Sequence, residues 1–205
     1  MHGRLRSQDH LVSLRRELHR HPEPAWREFY TTARIVSEIE RIGVDELYLG
    51  PDVLEGDRHG VPDPETLAEW RERALTAGAD SDVVDQLENG KTGAVAVLRN
   101  GDGPVVGLRV DIDGLLREES TEPGHYPATE GFRSENEGAM HACGHDAHAT
   151  IGIGVLEAVA ESDFAGTLKL FFQPAEEMAA GGEPMSESSH LDDVEYLFAL
   201  HVGLD

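Results

Sequence analysis

The chain has 205 residues, enough for one α/β domain of ordinary size, with 40 acidic against 17 basic residues and a formal net charge of −23. Only Lys91 and Lys169 are lysines. So acidic a chain is a poor partner for nucleic acid or anionic membrane, which bind through surplus Lys and Arg, and its Lys-poor acidity resembles proteins of salt-loving microbes. The 39% apolar content, arranged in regular periods, argues against a disordered acidic protein. One cysteine permits no intramolecular disulfide, and no targeting segment or membrane-length apolar run is visible, so a cytoplasmic location is expected.

In chain order, Leu11, Leu14 and Leu18 predict a helix over 8–21, ended by Pro22 and Pro24. Phe29, Ala33, Val36 and Ile39 predict a second over 27–42, with Gly43 as its cap. A short strand is expected at 44–49, a Pro/Gly-rich surface loop at 50–64, and a third helix at 65–78 with Leu67, Trp70, Ala74 and Ala77 on one face. The period then changes. Segments 92–99 and 104–111 read as apolar strands around Asn100-Gly101, which predicts a β-hairpin central to the sheet. A polar loop over 112–138, a helix at 148–161, a strand at 166–173 stopped by Pro174, and a last strand at 195–201 complete the pattern. The expectation is an α/β fold, three-layered, with a largely parallel mixed sheet and helices on both faces.

The chemistry gathers around Met140-His141-Ala142-Cys143-Gly144-His145-Asp146-Ala147-His148. A thiolate and an imidazole separated by one glycine can converge on a cation such as Zn²⁺. The same residues also suit a His-rich surface loop around a structural cysteine. Working groups of open α/β sheets lie beyond the carboxyl ends of strands, and such ends here carry Asp111 and Asp113, Glu176 and Glu177, and His201. One carboxylate of the Glu176-Glu177 pair can bind metal while the other takes a proton from water. An acidic helix start would look the same. Asp111 and Asp113 read either as supports of such a site or as a solvated strand end.

These residues resemble the peptidase M20 group of metal-dependent amidohydrolases, in its aminoacylase/hippurate-hydrolase branch. The motifs are LRRELHRHPEP at 14–24, GLRVDIDGL at 107–115, MHACGHDAH at 140–148, LKLFFQPAEE at 168–177 and FALHVG at 198–203. Residues 50–74 are similar to an insertion in members acting on p-aminobenzoyl-glutamate. The resemblance implies hydrolysis of the amide bond of an N-acyl amino acid, with p-aminobenzoyl-glutamate the leading candidate. It implies Cys143, His145, Glu177 and His201 as ligands of two divalent ions, Mn or Zn, and Glu176 as general base. Asp111 and Asp113 become supports behind the ligands, and His148 either a support or an ordinary helix-face histidine. His19 and His21 match a motif without an assigned role. Members of the group run to about twice this length, so the resemblance makes 1–205 the N-terminal part of a catalytic domain without its lid and dimerisation domain or C-terminal return. The implied full-length form is a homodimer or hetero-oligomer. The alternative is a silent metal-binding fragment or subunit that needs a second chain.

Overall fold

A computed structural model describes residues 8–203. Its helices are α1 (Gln8–Arg20), α2 (Phe29–Ile42), α3 (Pro64–Thr76), α4 (Ser81–Val84), α5 (Tyr126–Thr129), α6 (His145–Ala160) and α7 (Gly182–Ser186). Its strands are β1 (Glu46–Leu49), β2 (Ala94–Asn100), β3 (Val105–Asp111), β4 (Gly166–Gln173) and β5 (Tyr196–Ala199), in the order β1-β2-β4-β3-β5. β3 runs parallel to both β4 and β5, while β2 is antiparallel to β1 and β4. Four strands therefore point one way and β2 opposes them, a mixed, largely parallel α/β sheet. No helix among the described residues is long and apolar enough to cross a membrane.

Local chemistry sets the element ends. Asp63 caps α3 by accepting the Thr66 amide at 2.9 Å, and Pro64 occupies the first turn, where no amide partner is needed. The start of α2 is capped from a distance: the buried Glu23 carboxylate accepts the amides of Tyr30 and Thr31 at 2.9 and 2.8 Å. Stripping two amides of that partner would expose orphan donors at the helix start.

The expected hairpin is not formed. β4 lies between β2 and β3 and pairs with both, so the Asn100–Pro104 connection crosses over a strand instead of turning between neighbours. Two strand spacings are about 9.6 Å, which four or five residues span easily. The apolar β4 satisfies both ladders, and that outweighs the local Asn-Gly turn signal. Nor is apolar β3 closed along its length: its Val105, Val106, Leu108 and Arg109 are half-buried, whereas β2 is closed along Ala94–Leu98.

One face of the sheet carries α1, α2 and α6, with Leu14, Leu18, Ile35, Ile39, Ile153 and Leu156 packed on Ala96, Val110, Leu170 and Phe172. On the other face Val95, Val97 and Phe171 are covered by Trp26, Val53, Leu54 and Met185, which come from loops and from α7. The second face is thus closed by short segments rather than long helices. β5 forms an edge, with Tyr196, Leu197 and Phe198 all exposed.

Candidate metal centre

β3, α6, β4 and β5 deliver their ends to one side of the sheet. β3 ends at Asp111, and Asp113 follows, both buried. β4 ends at Gln173, after which Ala175 adopts φ +53, a conformation uncommon outside glycine, and turns the chain so that Glu176 and Glu177 face Asp113. The turn is held from both sides. Glu28 accepts the Ala175 amide at 2.8 Å, and Asp113 accepts the amides of Glu176 and Glu177 at 3.1 and 3.0 Å.

The His-rich stretch is not wholly a loop. α6 begins at His145, three residues earlier than the apolar period predicts, because Gly144 at φ +89 supplies the left-handed turn that starts it. His145 and His148 thereby share one helical face, both buried.

Three overlapping groups of potential ligand atoms result, each within 4.8 Å: Cys143, His145 and His201; Asp111, His145 and His148; His145, Glu176 and Glu177. His145 is common to all three. Its Nδ1 lies 2.9 Å from the Asp113 carbonyl oxygen, an acceptor only, so Nδ1 carries the hydrogen and Nε2 a lone pair. That Nε2 is buried without a hydrogen-bond partner. Around it stand Asp111 Oδ1 at 3.4 Å, Glu176 Oε2 at 3.7 Å and Glu177 Oε1 at 3.8 Å. A lone pair facing three carboxylate oxygens calls for a positive charge between them. Burial opposes a charge on the imidazole, but Asp113, Asp111 and Glu177 outweigh it and raise the His145 pKa.

His201 is set in the same way. Its Nδ1 donates to the Val202 carbonyl at 2.8 Å, and its Nε2 lies 3.4 Å from Cys143 Sγ. Burial first, then Glu177, Glu176 and Asp111, push the Cys143 thiol up to about 11. A cation reverses that by stabilising the thiolate. Burial and the neighbouring Asp113 and Glu176 charges also raise the Glu177 pKa, against the pull of His145 and Cys143. The donor set of one thiolate, two imidazoles and a carboxylate suits a borderline divalent ion. The Glu177 side chain is 18% exposed and that of Glu176 35%, so Glu176 stands nearer solvent.

All five sequence-predicted residues, Cys143, His145, Glu176, Glu177 and His201, lie in this cluster. Beyond them, the structure decides between the readings left open for His148 and Asp111, and gives His19 and residues 55–61 places that were not legible. His148 is no ordinary helix-face histidine, since it is fully buried with both ring nitrogens engaged, Nδ1 on Asp111 and Nε2 on the Val202 amide at 2.8 Å. Asp111 is likewise no solvated strand end. Burial works against its charge, but the His148 bond and nearby His145 outweigh it and hold its pKa low. His19 is buried between Asp146 at 2.7 Å and Glu119 at 2.9 Å, and so ties α1 to α6 and to the loop after β3. Lastly, Gly60 lies against Met178, the residue after Glu177: a β-carbon on Gly60 would lie 2.3 Å from Met178 Cε, and Trp26 Nε1 donates to the neighbouring His59 carbonyl at 2.8 Å. Each of these depends on contacts between distant segments, which single residue types do not announce.

The sequence profile of Peptidase family M20/M25/M40 matches residues 107–204. The chain is 42% identical over 197 residues to the indole-3-acetyl-aspartic acid hydrolase of Enterobacter agglomerans, covering 94% of this chain and 45% of that protein. It is 42% identical over 193 residues to a p-aminobenzoyl-glutamate hydrolase subunit of Escherichia coli (strain K12), covering 92% and 44%. Among solved structures, the aminobenzoyl-glutamate utilization protein of Klebsiella pneumoniae matches with a TM-score of 0.76 and 32% identity over 95% of this chain and 44% of that one. A dinuclear metal-binding M20 peptidase of Bacillus subtilis matches with a TM-score of 0.69 and 30% identity over 96% and 43%. The chain thus spans less than half the length of the curated relatives it matches.

Proposed function

We propose that this chain, whose residues 107–204 match the profile of Peptidase family M20/M25/M40, supplies the metal-holding part of an amidohydrolase that cleaves the amide bond of N-acyl amino acids. The observation that carries the reading is the buried, partnerless Nε2 of His145 facing Asp111, Glu176 and Glu177. Cys143, His145, Glu177 and His201 are the proposed ligands of divalent metal, Mn or Zn. The relative from Bacillus subtilis is described as dinuclear, and two ions are proposed here also. Bound there, a divalent ion supplies Lewis acidity toward the amide carbonyl and a more acidic water.

The protein's own groups divide the remaining work. Glu176, nearer solvent than Glu177, takes the proton of the attacking water and passes it to the nitrogen of the leaving amine. Asp113 holds Glu176 and Glu177 by their backbone amides, which leaves both side-chain carboxylates free for chemistry. Asp113 also fixes His145 with its lone pair directed inward.

p-Aminobenzoyl-glutamate is the favoured substrate, because residues 50–74 resemble an insertion of members that act on it, and Gly60 within them lies against Met178, the residue after Glu177. A reducing compartment, the cytoplasm, suits a site that depends on the single thiol of Cys143. A salt-rich cell suits the surface charge. The Escherichia coli relative is named as one subunit of its hydrolase, which supports assembly of this chain with a second one. The test is metal content together with turnover of a panel of N-acyl amino acids, with and without a co-expressed second chain covering the remainder of the relatives' length. Bound metal and chelator-sensitive hydrolysis are expected from the reconstituted form. Metal without turnover in either form favours the reading as a silent metal-binding subunit, and absence of metal rejects the site.

A further inference from the structure

We propose that His148 is a positioning residue for His201, acting through the backbone of Val202 without touching metal or substrate. The inference rests on the reading of His201 as a ligand. Its starting point is the problem of the chain end of β5. This strand has four residues, lies at the sheet edge, and is exposed along its length. Strand pairing reaches only as far as the Arg109–Ala199 register, with one further bond from the Leu200 amide to the Arg109 carbonyl at 3.2 Å. His201, exposed and two residues beyond the strand, needs another anchor to keep Nε2 directed at Cys143 Sγ.

His148 supplies it. The Val202 amide can only donate, so His148 Nε2 must present a lone pair, and its hydrogen must lie on Nδ1. Asp111 enforces that tautomer by accepting Nδ1–H, and Asp111 is itself held by Arg109 Nη1 at 3.0 Å from its other oxygen. A line of directed bonds therefore runs from β3 through α6 to Val202. The Val202 side chain completes the clamp: it packs so closely on Gly144 that a β-carbon there would lie 2.8 Å from Val202 Cγ2. The His148 and His201 rings meet edge to face with centroids 4.7 Å apart. With both nitrogens used, His148 has none left for an ion.

Three readouts on the full chain test this. Imidazole ¹⁵N NMR of the unaltered, metal-free protein should find His148 as the Nδ1–H tautomer; the Nε2–H form would overturn the proposal whatever the variants do. Solvent exchange of the Val202 amide should accelerate about fivefold or more in His148→Asn, whose amide can still donate to Asp111 but is too short to reach Val202. His148→Gln, whose carbonyl can reach that amide, should recover much of the protection. Co²⁺ titration, read by thiolate-to-cobalt absorption, should show affinity reduced by about 10–100-fold in His148→Asn and largely restored in His148→Gln. Unchanged Val202 exchange in His148→Asn would overturn the positioning role. So would a Gln variant that regains amide protection yet binds cobalt as poorly as the Asn variant, because His148 would then be a ligand. Failure of the unaltered protein to bind cobalt would reject the metal reading of the site, while the tautomer and the Val202 exchange still decide the tie between His148 and the chain end.

Discussion

His145 and Asp113 are joined twice: the His145 Nδ1 lies 2.9 Å from the Asp113 carbonyl oxygen and 3.2 Å from its Oδ1. The same carboxylate accepts the amides of Glu176 and Glu177. One buried side chain beyond β3 therefore registers the first turn of α6 against the turn after β4, and the distance between an imidazole and two carboxylates is set by a single group. Asp113→Asn would place an amide NH₂ against one of those backbone N–H groups. A loss of about 1–3 kcal/mol of stability is expected, the usual cost of an unsatisfied buried donor, with metal affinity lower by about 10–100-fold. Urea unfolding and metal analysis check both; a variant as stable and as metal-rich as the parent would contradict the assignment.

The two adjacent glutamates should separate by function. In an active, reconstituted enzyme Glu176→Gln is expected to keep its metal and lose turnover by about 10²-fold or more, the scale of a general-base loss. Glu177→Gln should lower metal content first. Equal metal loss in both variants would sink this division of roles.

Buried Glu28 gives the fold a pH dependence of its own. Burial, reinforced by the Asp113 charge, raises its pKa from 4.5 to about 8, against the opposing bonds from Thr92 and Ala175. The folded state then holds a proton that the unfolded chain releases, so this contribution is fully present below about pH 4.5 and is lost as pH rises toward about 8. Glu28→Gln can still accept from Ala175 and donate to Thr92, and its stability should fall less steeply over that window, by up to about 1.4 kcal/mol per pH unit. Denaturant melts across the window decide it. Parallel slopes for parent and variant would show that Glu28 does not titrate there.

With a net charge of −23 the compact chain repels itself. Screening shortens from about 10 Å at 0.1 M salt to about 3 Å at 1 M, which removes most of that repulsion. The thermal midpoint should therefore rise between about 0.1 M and about 2 M KCl, and an unchanged or lower midpoint would count against a surface adapted to salt.

Periodic signals carried well from sequence to structure. The 3-4 spacing of Leu11, Leu14 and Leu18 marks α1, in which Leu14 and Leu18 are buried, and the apolar run stopped by Pro174 marks β4 at its observed bounds. What failed was pairing. Asn100-Gly101 signals a tight turn locally, yet β4, some sixty residues later, takes the place between β2 and β3. Residue types at the site were legible because Cys143, His145, Glu176, Glu177 and His201 stand at the ends of strands or beside a helix start. Of the groups behind them only Asp111 and Asp113 were read as supports. A glutamate such as Glu23 or Glu28, or a histidine such as His19 or His148, reads as surface until the amides, carboxylates and rings that surround it are brought in from distant segments.

The most direct test of the metal centre is the anomalous difference density of crystals of this chain grown with Zn²⁺. Density for the proposed ions is expected among Cys143, His145, Glu177 and His201, with bonds of about 2.0–2.1 Å to imidazole Nε2 and about 2.3 Å to Cys143 Sγ. Density that bypasses His145 Nε2, or an ion held by Asp111 and His148 in place of Cys143 and His201, would contradict the account.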